Sequence, residues 1–443
     1  MLAVLCIVAA IVESLGLGQC PAVRAERPQG GRERRSELGP SHRCDRRRSG
    51  GDDVHGEPRK TFAFGAMHTP ASGRTLVGPH GLRVAHVPLD LHRMRDMCRR
   101  EQWSEDDLDW SVPPRRFDPQ TERAVVQYFT DMSGIESLAA ELFRVQRDTT
   151  TDPLLREIFE TFIEDEQRHS RVARRLAAHY DQRGLTDHRL NPTLVAFRPH
   201  FLEVLRHVSP DIANTYITCG ELLLDIALLR SLDDFVADEM CTQAMTRINR
   251  DESRHIAVDY HMMDYYGSAE YAAIERGRPS VGASERVHAA WVMAQFLWSA
   301  GPFLRDVFFG PMDLVDPSGR RLLEAFKRIQ LLGKRPAVER RPLTRFLAAM
   351  QAVYEQPVVG RMLAPAIVRI MGLDRRVIGR LYTDAEAARV RGMDVVELAE
   401  DALGVKDGKA GAFDLNEQTV GGRRARRGWM QRLEWVRQRL THG

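Results

Sequence analysis

The chain has 443 residues, 43% of them hydrophobic and 28% charged, so it can bury a sizeable core and is not a disulfide-stapled miniprotein. Its net charge of +3 combines basic ends at 21–48 and 423–443 with an acidic body of about −8, which argues against nucleic acid as the main partner. The six cysteines form no CxxC pair, which argues against a zinc ribbon, a rubredoxin-type centre or a disulfide framework and indicates a reducing, cytoplasmic compartment.

The first 60 residues lack the hydrophobic periodicity of a folded domain. Residues 2–12 form an apolar run that is too short to span a bilayer and that lacks the basic residues at the start of a signal peptide. We therefore expect residues 1–60 to be disordered, or to result from a start codon placed too early, with Met67 as a possible true start. A genuine signal peptide is the competing interpretation.

From Pro119 the apolar residues recur at helical spacing and no alternating strand pattern is present, so the chain is expected to be all-α. Four long helices are predicted within a core that spans residues 119–266. Capping residues and prolines indicate where they begin and end. The predicted bounds are 119–147, 153–182, 210–235 and 238–266, with a shorter helix at 193–207 between the second and the third.

A second helical region is predicted over residues 284–403. Its most apolar stretch, 289–304, is interpreted as a buried helix because polar residues and Pro302 interrupt it and it is short for a membrane span. The aromatic residues of this region are expected in the core, with the lining of a substrate pocket as the alternative: Trp291, Phe296, Trp298, Phe303, Phe308 and Phe309. Further helices are predicted at 320–332, 343–354, 359–371 and 384–403.

Residues 404–443 are predicted to be a linker followed by a basic amphipathic helix. The linker, 404–422, is rich in Gly and polar residues. The last helix places four apolar residues on one face: Trp429, Leu433, Val436 and Leu440. We favour packing of this helix on the acidic body over docking to an anionic membrane or an acidic partner.

Two copies of the string D-E-x-R-H, at 165–169 and 251–255, carry the strongest chemical signal. Residues i and i+3 of a helix share a face, so Glu166 with His169, and Glu252 with His255, can each bind the same metal ion. This Glu-x-x-His spacing is typical of di-iron carboxylate bundles. One ExxH is expected by chance, as at 285–288, whereas two copies of the longer string are not.

Two single glutamates complete a candidate ligand set. Glu136 shares an apolar stripe of the first helix, whereas Glu141 has polar neighbours. Glu221 lies on an apolar face of the third helix, with Asp225 one turn later as the alternative. Each hairpin of two helices thus supplies a Glu and, 30 or 31 residues later, a Glu-x-x-His. The predicted metal ligands are Glu136, Glu166, His169, Glu221, Glu252 and His255.

The composition of this ligand set indicates which metals it suits. Four carboxylates neutralise two divalent cations, so the cluster can be buried without an uncompensated charge. Oxygen and nitrogen donors without thiolate favour iron or manganese, and a redox metal is needed to reduce O₂. The remaining motif residues are expected to orient the imidazoles by hydrogen bonds: Asp165, Arg168, Asp251 and Arg254.

With these residues the sequence resembles the ferritin-like di-iron carboxylate superfamily, in its oxygen-activating branch. That branch includes bacterial multicomponent monooxygenase hydroxylases, acyl-carrier-protein desaturases and arylamine N-oxygenases. The resemblance covers residues 119–266. It implies a ferritin-like four-helix bundle, extended here by C-terminal helices, that binds two iron ions through the six predicted ligands. It also implies that O₂ is the co-substrate and that an organic molecule is oxidised.

The sequence departs from several members of the superfamily. Ile248 stands where the N-oxygenases have a seventh ligand, a histidine, which weakens that assignment. Ala173 stands where the small subunits of ribonucleotide reductase carry a radical tyrosine, which argues against radical storage. The CxxC iron centre of rubrerythrins is absent from the sequence, and ferritins are far shorter.

The leading expectation is a non-haem di-iron oxygenase that hydroxylates, N-oxygenates or desaturates an apolar or aromatic small molecule, free or carrier-bound. The sequence contains no convincing dinucleotide loop and no iron–sulfur cysteine set, so a separate ferredoxin or reductase is expected to supply electrons. A homodimer is the usual expectation for such bundles. The competing functions are iron oxidation or peroxide detoxification without an organic substrate, and a structural bundle with a vestigial site.

Overall fold

Fourteen helices, numbered α1 to α14 below, account for most of the chain that the computed structural model describes. It describes residues 89–408, apart from 279–280, 359, 361, 364, 367 and 369–374, together with 411, 413 and 415. No strand occurs among these residues, which confirms the all-α prediction. The predictions for residues 1–60 and for the helix near 429–440 lie outside the described residues.

The first long helices begin with the same local chemistry. After the short α1 (Leu91–Arg100), both α2 (Pro119–Thr149) and α3 (Pro153–Tyr180) begin with proline. The aspartate before each proline accepts hydrogen bonds from two backbone N–H groups of the first turn. The missing N–H of proline costs nothing in the first turn, and the aspartate satisfies donors that the helix cannot.

The second pair of long helices follows α4 (Pro192–Val204). α5 is continuous over Pro210–Val236 but widens into a π-helical segment at Leu224–Leu229. Ala237 adopts a left-handed conformation, with φ of 49°, and ends α5. Asp238 then caps α6 (Glu239–Tyr266), so the turn between these helices is only two residues long.

The later helices are shorter. α7 is Ala269–Gly277, and α8 (Ala283–Phe303) continues through a π-helical segment at Leu304–Phe309 into Gly310–Val315. The others are α9 (Arg320–Leu332), α10 (Pro336–Glu339), α11 (Pro342–Glu355), α12 (Arg375–Ile378), α13 (Asp384–Gly392) and α14 (Val395–Lys406).

Four helices surround the buried interior that matters for function. α2 packs along the length of α3, α5 packs on α6, and α2 and α3 also contact α5 and α6 respectively. α1 lies against α3 and α6 at one side, while α14 packs on α6 and on the π-helical segment of α5. The bounds of α2, α3, α5 and α6 agree with the four predicted long helices to within two residues.

The single helix predicted at 384–403 is wrong, because two helices occupy this range. α13 ends at Gly392, and Asp394 begins α14 with a reciprocal cap: its side chain accepts from the backbone N–H of Glu397, and the Glu397 side chain accepts from that of Asp394. Such a capping box is a strong start signal and interrupts the apolar periodicity. The short helices α1 and α7 were not predicted.

The prediction of a buried helix at 289–304 also needs correction. Trp291 and Trp298 are 62% and 73% exposed, so α8 buries only one face. The other predicted aromatic residues are in the core, where Phe303 stacks on Phe197 of α4 with ring centroids 4.3 Å apart. Phe296, Phe303, Phe308 and Phe309 are all buried.

One described helix, α5, has the length and hydropathy of a membrane span. However, 83% of its most apolar window is buried within the protein. Since a core helix of a large domain passes the same test, this feature is explained by packing of α5 against its neighbours.

Candidate metal centre

All six predicted ligands are buried and come together between α2, α3, α5 and α6. Each helix contributes from its middle, one glutamate from α2 and from α5 and a Glu-x-x-His from α3 and from α6. None of these residues is more than 2% exposed: Glu136, Glu166, His169, Glu221, Glu252 and His255. The sequence prediction that these residues converge is therefore matched by their positions.

The six residues form two overlapping groups, each able to surround one ion. The first group contains Glu136 and His169, and the second contains Glu221 and His255. Glu166 and Glu252 belong to both groups. Within each group, one ligand atom of every residue lies within 4.8 Å of the others. Two carboxylates are therefore common to two neighbouring groups, each of which could hold an ion.

Both imidazoles direct Nδ1 towards the shared carboxylates. Nδ1 of His169 lies 3.1 Å from Oε1 of Glu252, and Nδ1 of His255 lies 2.8 Å from Oε2 of the same residue. Nδ1 of His255 is also 3.2 Å from Oε1 of Glu166. The Nδ1 atoms therefore face the space between the carboxylates, which is where a metal ligand must point.

The nitrogen and oxygen atoms at the centre of the cluster lack hydrogen-bond partners among the described residues. Leaving a buried polar atom unpaired costs about 1–3 kcal/mol, and such atoms are rare in folded proteins. Six such atoms belong to this cluster: Oε1 and Oε2 of Glu166, Nδ1 of His169, Oε2 of Glu221, Oε2 of Glu252 and Nδ1 of His255. Bound cations would satisfy all of them, so the donor set fits a pair of metal ions.

Neither of the two alternatives for the single glutamates belongs to a four-residue group. Glu141, the rejected neighbour on α2, pairs with Arg144 in a half-buried position away from the cluster. Asp225 is buried near Glu252 but belongs to neither four-residue group, and both its oxygens are unpaired. It lies in the π-helical segment of α5, where the wider turn changes the register after Glu221.

The aspartates of the two motifs support the imidazoles crosswise. Nε2 of His169 donates to Oδ2 of Asp251 at 3.0 Å, although these residues belong to different motifs. On the other side, Nε2 of His255 faces Oδ2 of Asp165 at 3.5 Å. A carboxylate on Nε2 keeps the proton there and leaves Nδ1 free for a metal.

The two arginines of the motifs balance these aspartates. Arg254 donates from Nη2 to Oδ1 of Asp251 at 2.6 Å, and Arg168 bonds to Asp165 and reaches Oδ2 of Asp251 at 3.3 Å. All four side chains are buried, and their formal charges cancel. The quartet therefore holds both aspartates without adding net charge beside the ligand cluster.

Three residues that the sequence analysis did not single out also support this quartet. They follow α1 directly: Trp103 donates from its indole nitrogen to Oδ2 of Asp251 at 2.6 Å, and Gln102 donates to Oδ1 of Asp165 at 3.0 Å. Glu101 accepts from Arg254 at 3.2 Å. These residues lie in a loop without hydrophobic periodicity, so the sequence does not predict their contacts. The one hint is a large aromatic residue, Trp103, next to Glu101 and Gln102.

Burial and mutual repulsion shape the charge of the centre. Burial raises the pKa of Glu136 and of Glu221 well above the ordinary value, and the shared carboxylates raise both further. Burial alone would lower the pKa of His169, but the neighbouring carboxylates of Asp251 and Glu252 outweigh this, and its pKa is raised. Without metal, the centre therefore retains protons, which divalent cations would displace on binding.

Aromatic side chains close one side of the cluster. The Phe162 ring lies 4.2 Å from the His255 ring between centroids, and the Phe143 ring lies 5.0 Å from it. Both phenylalanines are fully buried. The centre thus combines charged donors with an apolar wall that keeps water away from this side.

Comparison of this chain with protein-family models, with curated proteins and with solved structures finds no match. The helical architecture and the buried carboxylate–histidine cluster, which could hold metal ions, are therefore observations on this chain alone.

Proposed function

We propose that this protein is a non-haem di-iron oxygenase whose α2, α3, α5 and α6 form a ferritin-like four-helix bundle. The observation that carries the proposal is the pair of four-residue groups that share Glu166 and Glu252. Each ion would have one carboxylate and one imidazole of its own. The two shared carboxylates would complete the ligand set of both ions. Its four carboxylates match two divalent cations in charge.

Iron is the metal that suits this donor set and the proposed reaction best. Carboxylate and imidazole donors without thiolate bind iron or manganese readily, so manganese is the alternative. Two iron ions here would supply the electrons that activate O₂ and the oxidising power to modify an organic substrate. We propose Glu136, Glu166, His169, Glu221, Glu252 and His255 as the ligands.

The surrounding residues have roles that follow from their contacts. Asp251 holds the proton on Nε2 of His169, so that Nδ1 stays available, and Asp165 faces Nε2 of His255 in the same way. Arg168 and Arg254 pair with these aspartates and hold them in place. Because the quartet is buried, the imidazole positions are set by the fold and do not depend on solvent.

We propose that the substrate is an apolar or aromatic small molecule, free or attached to a carrier. The apolar wall formed by Phe143 and Phe162 supports this, because a charged molecule would lose its hydration there without compensation. Reduction of the centre would require an external ferredoxin or reductase. We further propose that the protein is a cytoplasmic homodimer. It would act on a small molecule and not on nucleic acid.

Oxygen incorporation tests the oxygenase function. The iron-loaded protein is reduced by a ferredoxin–reductase pair and supplied with ¹⁸O₂ and one of three probes: an aromatic hydrocarbon, an arylamine or a fatty-acyl carrier protein. The proposal expects an oxidised or desaturated product from at least one probe, and none from Glu166→Ala. The exposed variant His92→Ala is the matched control and should behave as the wild type.

The same experiment separates the oxygenase from iron handling. Consumption of O₂ in proportion to added Fe²⁺, with no product from any probe, would replace the proposal with iron oxidation. The accumulation of ferric ions beyond two per chain would point the same way. Peroxide consumption at rates above those of the O₂ reaction would instead favour detoxification.

A further inference from the structure

A second group of potential metal ligands lies where α4 meets α8, and it shares no residue with the buried centre. Glu203 is on the last turn of α4, and His207 is four residues later in the helical turns that follow it. His288 comes from the first half of α8. One donor atom of each residue lies within 4.8 Å of the other two.

The imidazole of His207 is placed for coordination. Its Nε2 lies 3.6 Å from Oε1 of Glu203, which is too long for a hydrogen bond. That nitrogen is buried and has no hydrogen-bond partner within the described part of the chain. The His288 ring stands almost perpendicular to the His207 ring, with centroids 5.2 Å apart. Nitrogen and oxygen donors therefore face a common point at the surface.

We propose that Glu203, His207 and His288 form a surface site for one zinc-class divalent cation, with solvent completing the coordination. Two imidazoles and one carboxylate are a recurrent zinc ligand set, and the fourth position of such sites is open to water. Tetrahedral coordination at zinc distances separates ligand atoms by roughly 3.4 Å. Small side-chain rotations would bring the three donors from their present spacing to this one.

The helices that carry these ligands are held together independently of any metal. Phe197 of α4 stacks on Phe303 of α8, and Phe296 packs against both Phe197 and Phe201. Val204 and Ala289, which lie next to the cluster in the chain, are also buried. Glu203 and His288 therefore lie on a packed helix pair, with His207 in the turn directly after α4, which reduces the entropy lost when a cation binds.

The surroundings of Glu203 at the end of α4 orient its carboxylate. Arg206 donates to Oε2 of Glu203 at 2.9 Å, which orients the carboxylate and leaves Oε1 directed at His207. The site lies at the C-terminal end of a helix, where unpaired carbonyl groups carry partial negative charge and favour cations. A bound ion would link α4 to α8 and leave the buried centre unchanged.

Zinc binding by the purified full-length protein tests this inference. Metal-free protein is first loaded anaerobically with Fe²⁺, and zinc uptake is then measured by calorimetry and by metal analysis. The wild type is expected to bind one zinc beyond its iron, and Glu166→Ala, which damages only the buried centre, should still bind it. His288→Ala and His207→Ala should lower zinc affinity at least 100-fold, because each removes one of three protein ligands.

His288 is exposed, so its replacement is not expected to disturb folding, and His92→Ala on α1 is the matched control for a lost surface histidine. Zinc should raise the melting temperature of the wild type and of His92→Ala but not that of His288→Ala. Unchanged zinc affinity in both His207→Ala and His288→Ala would overturn the inference. Absence of zinc uptake by the Glu166→Ala protein would overturn it too, whether or not the buried centre binds iron.

Discussion

Nε2 of His169 lies 3.0 Å from Oδ2 of Asp251, so a proposed metal ligand of one D-E-x-R-H motif is hydrogen-bonded to the aspartate of the other. Asp165 faces Nε2 of His255 in the same crossed arrangement, at 3.5 Å and without a hydrogen bond. Each motif thus supplies ligands to the cluster and support to its counterpart. Because the support crosses between α3 and α6, neither helical hairpin contains a complete site.

The number of metal ions bound per chain should show whether two carboxylates are shared between the two groups. Glu252→Ala removes a ligand from both groups and is expected to abolish binding of both metals, whereas Glu221→Ala should leave one metal per chain. Metal analysis after anaerobic loading with Fe²⁺ measures this. Glu141→Ala, which alters a carboxylate of α2 paired with Arg144 outside the cluster, is the matched control and should retain two. Equal losses in Glu252→Ala and Glu221→Ala would contradict the shared arrangement.

The contact between His169 and the aspartate of the other motif predicts that iron affinity can fall although every proposed ligand is still present. Asp251→Asn weakens the charge that holds the proton on Nε2 of His169 and is expected to lower iron affinity about 10- to 100-fold. Competition with a chromophoric chelator gives the affinity. Asp148→Asn, which changes an exposed aspartate of α2, serves as control. Wild-type affinity in Asp251→Asn would show that the contact does not position the ligand.

A second substitution of the same aspartate tests the buried charge quartet. In Asp251→Ala, Arg254 loses its closest carboxylate in a position that is only 3% exposed. Removing one partner of a buried ion pair typically costs about 3–5 kcal/mol, because the remaining charge stays buried. Urea unfolding of the metal-free protein measures this cost. A change below about 1 kcal/mol would mean that the quartet is solvated in solution.

The stability of the metal-free protein should depend on pH through Asp131 of α2. Burial raises its pKa to about 6, although the backbone N–H of Asn191, at 2.6 Å from Oδ1, partly offsets this. A raised carboxyl pKa favours the fold below the unfolded pKa near 4, and this contribution is lost as the pH rises through 6. Between pH 4 and pH 7 the wild type should lose about 2 kcal/mol relative to Asp131→Asn.

Urea unfolding of both proteins, in chelator at each pH, isolates the contribution of Asp131, because all other titrating groups are common to the two. The amide of Asp131→Asn retains an acceptor for the N–H of Asn191 and does not titrate. A stability difference that stays constant from pH 4 to pH 7 would show that this carboxyl group has an ordinary pKa.

Two aromatic residues of α8 should differ sharply in their contribution to stability. Phe303 is buried and stacks on Phe197, so Phe303→Ala is expected to cost about 3–5 kcal/mol. Trp298 is 73% exposed, and Trp298→Ala should change the free energy of unfolding by no more than about 0.5 kcal/mol. Similar losses for the two variants would mean that Trp298 is covered in solution, for example by a second copy of the chain.

Much of the ligand cluster could be predicted from the sequence because helical periodicity relates nearby residues. Spacing of three places Glu166 and His169 on one face, and the apolar neighbours of Glu136 mark it as an inward-facing carboxylate. The near repeat of 30 and 31 residues then pairs the hairpins. These inferences need only the geometry of a single helix and the similarity of the two halves.

The contacts between distant segments could not be predicted in this way. Trp103 and Asp251 are 148 residues apart, and the loop that carries Trp103 has no periodicity to indicate which helix it meets. The exposed face of α8 was missed for a related reason. A helix that is apolar on all sides has no preferred inward face, so the sequence could not tell that Trp291 and Trp298 remain outside while Phe296 and Phe303 are buried.

The most direct test of a di-iron oxygenase is to measure the metal content and the optical spectrum of the anaerobically reduced protein, before and after a pulse of O₂. For the wild type we expect two irons per chain and a transient visible absorption after the pulse, and both should be absent from Glu166→Ala. No bound metal in the wild type, or a single ion whose spectrum does not respond to O₂, would contradict it.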